Sequence, residues 1–371
     1  MKILLVNNRF GADNIGGAEK IVLTVARALQ KIGHEVFVLS LASRRHKIEF
    51  EGIKVKYLKS KFISLSHWPK LARLLYHIWE FRPNGFGEVK NIIDKIKPDL
   101  IWSHNLLGFG WGVAKLFRNY KWAHSLHDTQ LLHPSGQISA SAKKLSFTQK
   151  VYRSWLRRTL ERPNLIISPS RWLIWHHQEH HFFENIPVVI LPNPLAISVW
   201  PRIIERKKYW FWAGQLYAGK GLKWLIRIWQ ADRSLPPLYI AGQGKLAGWL
   251  KQEIKKDHRL KYLGNLLSED IAAQLEQAQG LVFTSLILEN WPGIIAEAIY
   301  FSCPVVGPKA GGVPEMIKNG TTGFLYEVGN SADLKRAVKN ASNFIINPNS
   351  RPSILSTEDY VRQVLRHLEN G

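Results

Sequence analysis

With 371 residues, 46% apolar and 21% charged, the chain has a globular composition and is too long for one ordinary core, so two domains of about 150 to 200 residues are expected. Lys and Arg number 51 against 28 Asp and Glu, and the formal charge of +23 points to a polyanionic partner: nucleic acid, an anionic membrane surface or phosphorylated small molecules. The single cysteine, Cys303, excludes an intramolecular disulfide and a cysteine-cluster metal site.

Short runs of Ile, Leu and Val alternate with longer amphipathic stretches, the pattern of βα units around parallel sheets. In the first half, strands are expected at 3–6, 36–39, 55–58, 100–102, 122–126, 165–168 and 188–191. The opening MKILLVNN runs into a polar glycine loop instead of a cleavable leader. No apolar run nears about 18 residues, so a cytoplasmic protein is expected. Residues 196–206, with Pro201 and mixed charge, read as a linker between a first domain, 1–195, and a second, 207–345. Strands of the second domain are expected at 209–212, 238–241, 260–263, 281–284, 304–306 and 324–326. The tail, 346–371, reads as helical over 357–368 and as packing back toward the first domain.

Glycines cluster where strands should give way to helices. GADNIGGAE at 11–19 follows the first strand, and a helix start with glycines before it is either an anion site or a tight turn. GQLYAGKG at 214–221 follows the first strand of the second domain and is expected to open a helix at about Lys220. A lysine in a helix's first turn opposes the macrodipole unless an anion neutralises it, which favours a bound phosphate over a solvated lysine. In ENWPGIIAE, at 289–297, Pro292 and Gly293 suit a helix start, so Glu289 falls in a loop and Glu297 inside the helix among apolar neighbours. A carboxylate so placed needs donors, and vicinal ribose hydroxyls fit; two unrelated surface glutamates are the alternative. The segment 304–325, PVVGPKAGGVPEMIKNGTTGFL, places paired glycines before Val313 for close approach to a ligand or for packing. His127 and Asp128 follow the 122–126 strand, at the edge where open α/β sheets bind ligands.

Two further clusters carry weaker chemistry. His176, His177, His180 and His181 would form two i,i+4 pairs on a helix, with Glu184 following, and read as a polar face in preference to a zinc site. Residues 143–162 place Lys150, Arg153 and Arg157 on one helical side and Val151, Tyr152, Trp155, Leu156 and Leu160 on another, either a core helix or an interfacial one.

In this order GGAE, HD, GxLxxxKG, Ex7E and the 304–325 run resemble the family 4 retaining glycosyltransferases of the GT-B fold, over nearly the whole chain. The resemblance implies an α/β fold of two Rossmann-like domains facing a cleft, the first receiving the acceptor, the second a nucleotide-diphosphate sugar. It implies Glu297 on the donor ribose, Glu289 with the backbone of Asn290, Trp291, Pro292 and Gly293 at the sugar, and Lys220 at the diphosphate. Gly17 would face the phosphate and sugar, and His127 the hydroxyls of the transferred sugar, a hexose. Where the family commonly pairs the lysine with an arginine, this chain has Gln215. Neither a metal nor another cofactor is implied, and no protein nucleophile is named, since same-face attack lets the leaving phosphate take the acceptor's proton.

Charge adds an expectation about place. Residues 1–200 carry 29 Lys and Arg against 13 Asp and Glu, a net of +16, whereas 201–371 carry 22 against 15, a net of +7. Between residues 143 and 172 lie eight basic residues and one acidic, interleaved with Phe147, Tyr152, Trp155 and Trp172. A peripheral enzyme at the inner face of a membrane is expected, acting on a lipid-linked glycan of cell-envelope polysaccharide. The rival readings are a nucleotide-sugar epimerase on the same fold and a basic nucleic-acid-binding protein without catalysis.

Overall fold

The computed structural model describes residues 1–11, 16–43, 49–61, 68–82, 86–141, 147–160, 162–195, 201, 205–347 and 355–369. In the first half the chain forms β1 (Lys2–Val6), α1 (Gly17–Lys31), β2 (Glu35–Ala42), β3 (Glu49–Phe50), β4 (Ile53–Lys59), α2 (Lys70–Trp79), α3 (Gly87–Ile96) and β5 (Leu100–Ser103). There follow β6 (Lys121–Ser125), α4 (Phe147–Thr159), β7 (Leu165–Ser168), α5 (Arg171–Gln178) and β8 (Val188–Ile190). The second half forms β9 (Lys207–Ala213), α6 (Leu222–Ala231), β10 (Leu238–Ala241), α7 (Ala247–Glu253), β11 (Leu260–Tyr262), α8 (Ser268–Gln277) and β12 (Ala278–Val282). Then come α9 (Gly293–Tyr300), β13 (Val305–Pro308), α10 (Val313–Met316), β14 (Gly323–Tyr326), α11 (Ser331–Ala341) and α12 (Thr357–Glu369).

Each expected strand overlaps an observed one, because parallel strands covered on both faces, such as β1, β5 and β7, are written as short apolar runs. The eight-stranded sheet runs β3-β4-β2-β1-β5-β6-β7-β8, parallel except for the β3–β4 hairpin, and the six-stranded sheet runs β11-β10-β9-β12-β13-β14, parallel throughout. Two expectations shift. The pair Glu49–Phe50 is too short and polar to register as a strand in sequence. β12 spans Ala278–Val282 instead of 281–284, because α8 hands directly to it and leaves Thr284 in the loop beyond.

The described residues fall into two units, one of Met1–Gln137, Lys144–Ala196 and Leu355–Gly371, the other of Ile138–Lys143 and Ile197–Ile354. The units part after Ala196, and the start of 138–143, which the sequence reading places in the first domain, groups with the second unit: Ala140 N donates to Leu286 O at 2.8 Å and Leu288 N to Ile138 O at 2.7 Å. Of the 196–206 linker, 196–200 and 202–204 lie outside the described residues, as do 348–354 and 370–371 of the tail. Arg206 is no free linker residue, for its guanidinium donates to the carbonyls of Leu275, Glu276 and Ala278 at the end of α8 and to that of Phe301.

Two indoles of the first unit's core find side-chain partners, while Trp210 Nε1 in the second unit's core is buried without one. Trp102 Nε1 donates to Ser125 Oγ at 2.8 Å, Trp122 Nε1 to Ser103 Oγ at 2.7 Å. Cys303 is fully buried, and burial pushes its thiol up to about 11. Helix α4 departs from the sequence reading: Tyr152 and Leu156 enter the core, but Val151 and Trp155 stay exposed beside Phe147, while Arg153, expected in a solvated face, is half-buried near His176 and His180.

Helix α12 lays Tyr360, Val361, Val364 and Leu368 into the first unit's core against Val22, Val25 and Leu29 of α1, and Glu358 pairs with Lys31. Val361→Ala should therefore cost on the order of 2 kcal/mol, seen as a lower urea midpoint for the first unit with the second unit's transition unmoved.

Candidate functional site

Both sheets reverse strand order beside their first strand, at β2-β1-β5 and at β10-β9-β12, and the carboxyl edge at such a reversal is where open α/β sheets hold ligands. In the second unit the loops leaving β9 and β12 meet there. Gly221, at φ 73°, lets them touch: a Cβ on it would lie 1.9 Å from the Thr284 carbonyl oxygen. The Thr284 hydroxyl accepts from Trp212 Nε1 at 3.1 Å and donates to Lys220 O at 3.1 Å.

This contact brings Lys220 Nζ 2.5 Å from Glu289 Oε1, which also accepts from Ser285 Oγ at 2.9 Å. The two side chains are 21% and 18% exposed, so the pair is partly shielded yet within reach of a ligand. The expected helix start at Lys220 is corrected by two residues. Lys220 closes a 3-10 turn, Gly221 caps α6 in the left-handed region, and the lysine's charge is answered by a protein carboxylate.

Glu289 stands in the loop and Glu297 in α9. Backbone bonds brace the loop, from Leu288 and Leu286 to Ile138 and Ala140, and from Gly312 N to Glu289 O at 2.9 Å. The paired glycines before Val313 are explained by this packing: at Gly311, φ 64°, a Cβ would sit 2.3 Å from Glu289 O. Asn290 is buried, Trp291 packs half-buried on the second unit's core, Pro292 caps α9 and Gly293 opens it, exposed. Glu297 is half-buried, its Oε1 3.8 Å from where a Gly293 Cβ would stand. Gln215 is exposed in the loop after β9.

Sequence reasoning missed a supporting loop, Gly242-Gln243-Gly244 after β10. A Cβ on Gly242 would lie 1.9 Å from Gly214 O and one on Gly244 2.6 Å from Leu216 O, while Leu216 N donates to Gln243 O at 2.8 Å. Its signal was present as Gly-x-Gly directly after an apolar run. Ser285 and Ile138 had no such signal.

The first unit gathers Asn7 and Asn8 after β1, His104 after β5 and His127 after β6. His104 Nδ1 and His127 Nε2 are 2.8 Å apart, His104 is stacked on Trp102, and its Nε2 is buried without a hydrogen-bond partner. An orphaned N–H is costlier than a bare lone pair, so the proton of neutral His104 sits on Nδ1 and is donated to His127 Nε2. His127 is then protonated on Nδ1. Gly17 opens α1 exposed, with open space where a Cβ would point; residues 12–15 of its glycine motif lie outside the described residues. Of the two expected histidine pairs one forms, the His176 and His180 rings standing 5.3 Å apart although α5 ends at Gln178; the other does not, since His181 lies at φ 63° bonded to Glu184 and His177 is bonded to Leu173 O. Among the described residues no group of three His, Cys, Asp or Glu is arranged to hold a metal ion.

Residues 15–199 match Glycosyltransferase Family 4 and residues 207–343 match Glycosyl transferases group 1. The chain belongs to the family 4 glycosyltransferases of the GT-B fold. Curated relatives include an uncharacterised 42.6 kDa protein in the cps region of Klebsiella pneumoniae, 25% identical, the match covering 85% of this chain and 87% of that one. Among solved structures, sucrose-phosphate synthase of Thermosynechococcus elongatus matches at a TM-score of 0.78 and 16% identity, covering 100% of this chain and 99% of that chain. Anabaena HepE, solved in complex with UDP-glucose, matches at 0.67 and 19%, covering 99% of each. Both likenesses bear on the fold.

Burial pushes His127 down to about 4 and His124 to about 3, and raises Asp128 to about 7. With folded values below the unfolded 6.5, these histidines withdraw stability as pH falls from 6.5 toward 4, whereas Asp128 withdraws it as pH rises from 3.8 toward 7. Imidazole nitrogen NMR should show His127 neutral and protonated on Nδ1 throughout the range from pH 7 to about 5; a titration midpoint near its ordinary value would contradict the assigned tautomer and burial.

Proposed function

We propose that this glycosyltransferase moves a hexosyl unit, with retention, from a nucleotide-diphosphate sugar to a lipid-linked glycan of cell-envelope polysaccharide. The observation that carries the donor side is the Lys220–Glu289 pair at the strand-order reversal of the second sheet. HepE was solved with UDP-glucose, and the Klebsiella relative lies in a cps region; both support this reading.

Cleavage of the bond between the anomeric carbon and phosphate builds negative charge on the leaving diphosphate. Lys220 takes that charge, leaving Glu289 for the sugar's hydroxyls, where a carboxylate accepts two hydrogen bonds at once. Glu297 accepts from the ribose hydroxyls, Asn290, Trp291, Pro292 and Gly293 line the sugar, and Gln215 offers the diphosphate an amide in place of a second cation. His127 contributes a neutral imidazole for a sugar hydroxyl, and Gly17 leaves room for the phosphate and sugar. The leaving phosphate takes the acceptor's proton, so the reaction uses no protein nucleophile, no cofactor and no metal ion.

A thermal-shift panel of UDP-, GDP- and ADP-sugars identifies the donor, and acceptor-dependent release of its nucleotide diphosphate distinguishes transfer from epimerisation. With that pair of substrates, and in EDTA, Lys220→Ala should lose about 2 to 4 kcal/mol of transition-state stabilisation in kcat/KM. Glu297→Gln should weaken binding of free nucleotide diphosphate, while Glu289→Ala should leave that binding largely intact and impair turnover. Unchanged kcat/KM in Lys220→Ala removes the diphosphate assignment, and the opposite pattern in the glutamates reverses their roles.

The acceptor side is proposed to work at an anionic membrane surface on the cytoplasmic side. Among the described residues no helix is long and apolar enough to cross a membrane. On α4, exposed Phe147, Val151 and Trp155 lie among Lys150, Arg157 and Arg158, a mixture that suits an interface, where each cation contributes on the order of 1 kcal/mol. The protein should sediment with anionic vesicles, lose that binding as salt rises and ignore neutral vesicles. Equal, negligible sedimentation with both at low salt would remove the membrane part and leave the transferase.

A further inference from the structure

Helix α2 turns an apolar stripe outward. Leu71, Leu75, Ile78 and Trp79 recur at i, i+4, i+7 and i+8 and range from 68% to 49% exposed, while Tyr76 is buried. A solvated helix would show polar residues there, so the stripe belongs against apolar matter. Leu75 and Trp79 also line a cavity of about 610 Å³ within the first unit, well inside the size range of small-molecule sites. Trp68, Tyr76, Phe86 and Phe109 complete an aromatic wall.

Three cations share that wall, Lys59, Lys61 and Arg82, against one acid, Glu88. Arg82 is the most committed of them. Its guanidinium carbon lies 3.5 Å from the Trp79 ring centroid and 5.3 Å from that of Phe86, and Nη2 donates to Phe109 O at 3.0 Å. Nη1 is buried with no hydrogen-bond partner, and the guanidinium is attracted by the Glu80 carboxylate nearby. The chain makes room for this arrangement with Gly110, at φ 89°, where a Cβ would lie 2.8 Å from Nη1. One oxygen of that carboxylate, Glu80 Oε2, is held by the backbone, accepting from Gly108 N at 2.8 Å and Gly110 N at 3.2 Å. A guanidinium lying over an aromatic ring with one buried N–H not hydrogen-bonded suits an oxyanion beside an apolar group.

We propose that this cavity takes the apolar chain of an anionic membrane lipid, with Arg82, Lys59 and Lys61 meeting its phosphate. The assignment rests on the membrane reading above and adds to it a pocket for one lipid molecule, on a helix different from the basic α4. Charge selects the occupant: three cations and one acid around an aromatic wall favour an anionic guest over a cationic one, and the outward stripe of α2 leads the chain from a membrane surface into the cavity.

The test titrates the full chain with decyl phosphate below its micelle concentration, following tryptophan emission, because Trp68 and Trp79 stand in the wall. Decyl maltoside and inorganic phosphate serve as the neutral-chain and chain-free probes. Decyl phosphate should give a saturable shift, decyl maltoside should bind about tenfold more weakly, and inorganic phosphate should give none. Leu75→Glu, at an exposed rim position, and Ala72→Phe, which fills the cavity, should each weaken decyl phosphate binding by about tenfold or more, with unfolding temperature and the donor's thermal shift unchanged. Absence of a saturable shift, equal affinity for the neutral probe, or unaltered affinity in Leu75→Glu each overturns the proposal. Sedimentation on anionic vesicles without decyl phosphate binding overturns the cavity alone and leaves the surface reading standing. Decyl phosphate binding without sedimentation supports the cavity and overturns the surface reading.

Discussion

Lys220 and Glu289 are 69 residues apart in sequence, and they meet because Gly221 has no side chain. Any Cβ at that position would collide with the Thr284 carbonyl and drive apart the loops that leave β9 and β12. The supports around the pair follow from this approach: Thr284 bonded to both Trp212 and Lys220, Ser285 turned onto Glu289, and Ile138 and Gly311 bracing the Glu289 loop from two directions. A partly shielded ion pair is worth on the order of 1 kcal/mol. In the proposed reaction a diphosphate, with more charge than one carboxylate, competes for Lys220 and leaves Glu289 to accept hydrogen bonds from hydroxyls.

The two sheets share a strand order near their centres but carry different electrostatics at the corresponding edge. The second unit presents a cation and an anion. The first presents two neutral imidazoles, held uncharged by burial and by the single hydrogen bond between them. Such a pair donates and accepts without charge at neutral pH, as the proposed contact with sugar hydroxyls requires, and the proposed contact with a leaving diphosphate falls to the charged pair. The positive field of the chain as a whole assists both by drawing anions to the surface.

Much of the fold was legible because both sheets are parallel and covered. A strand such as Ile3, Leu4, Leu5 and Val6 is fully buried on both faces, and its composition says so. The glycine loop at 214–221 and the carboxylates at 289 and 297 drew notice in sequence for a related reason, since a lysine just before a helix and a glutamate among isoleucines are costly unless something answers them. Less legible were features whose cause lies elsewhere in the chain. The outward stripe of α2 looks in sequence like any core-facing stripe, because periodicity records that a helix is two-sided and says nothing of which side faces the protein. The α4 stripe misled in the same way, with Tyr152 buried and Trp155 exposed on one apolar side.

The sequence by itself determined the alternation of strand and helix, the places where glycine and charge break that alternation, and the membership of a family. Those are properties of residues within a few positions of one another, where propensity, periodicity and the helix dipole act. Only the tertiary structure decided that the anion beside Lys220 is Glu289, that the glycines before Val313 serve the Glu289 loop, that residues 138–140 belong with the second unit, and that His104 sets the proton of His127. Each of these joins groups brought together by parallel strand pairing or by the loops it positions. Such contacts depend on which strands become neighbours, and that is settled by the burial of the whole sheet and not by any local pattern.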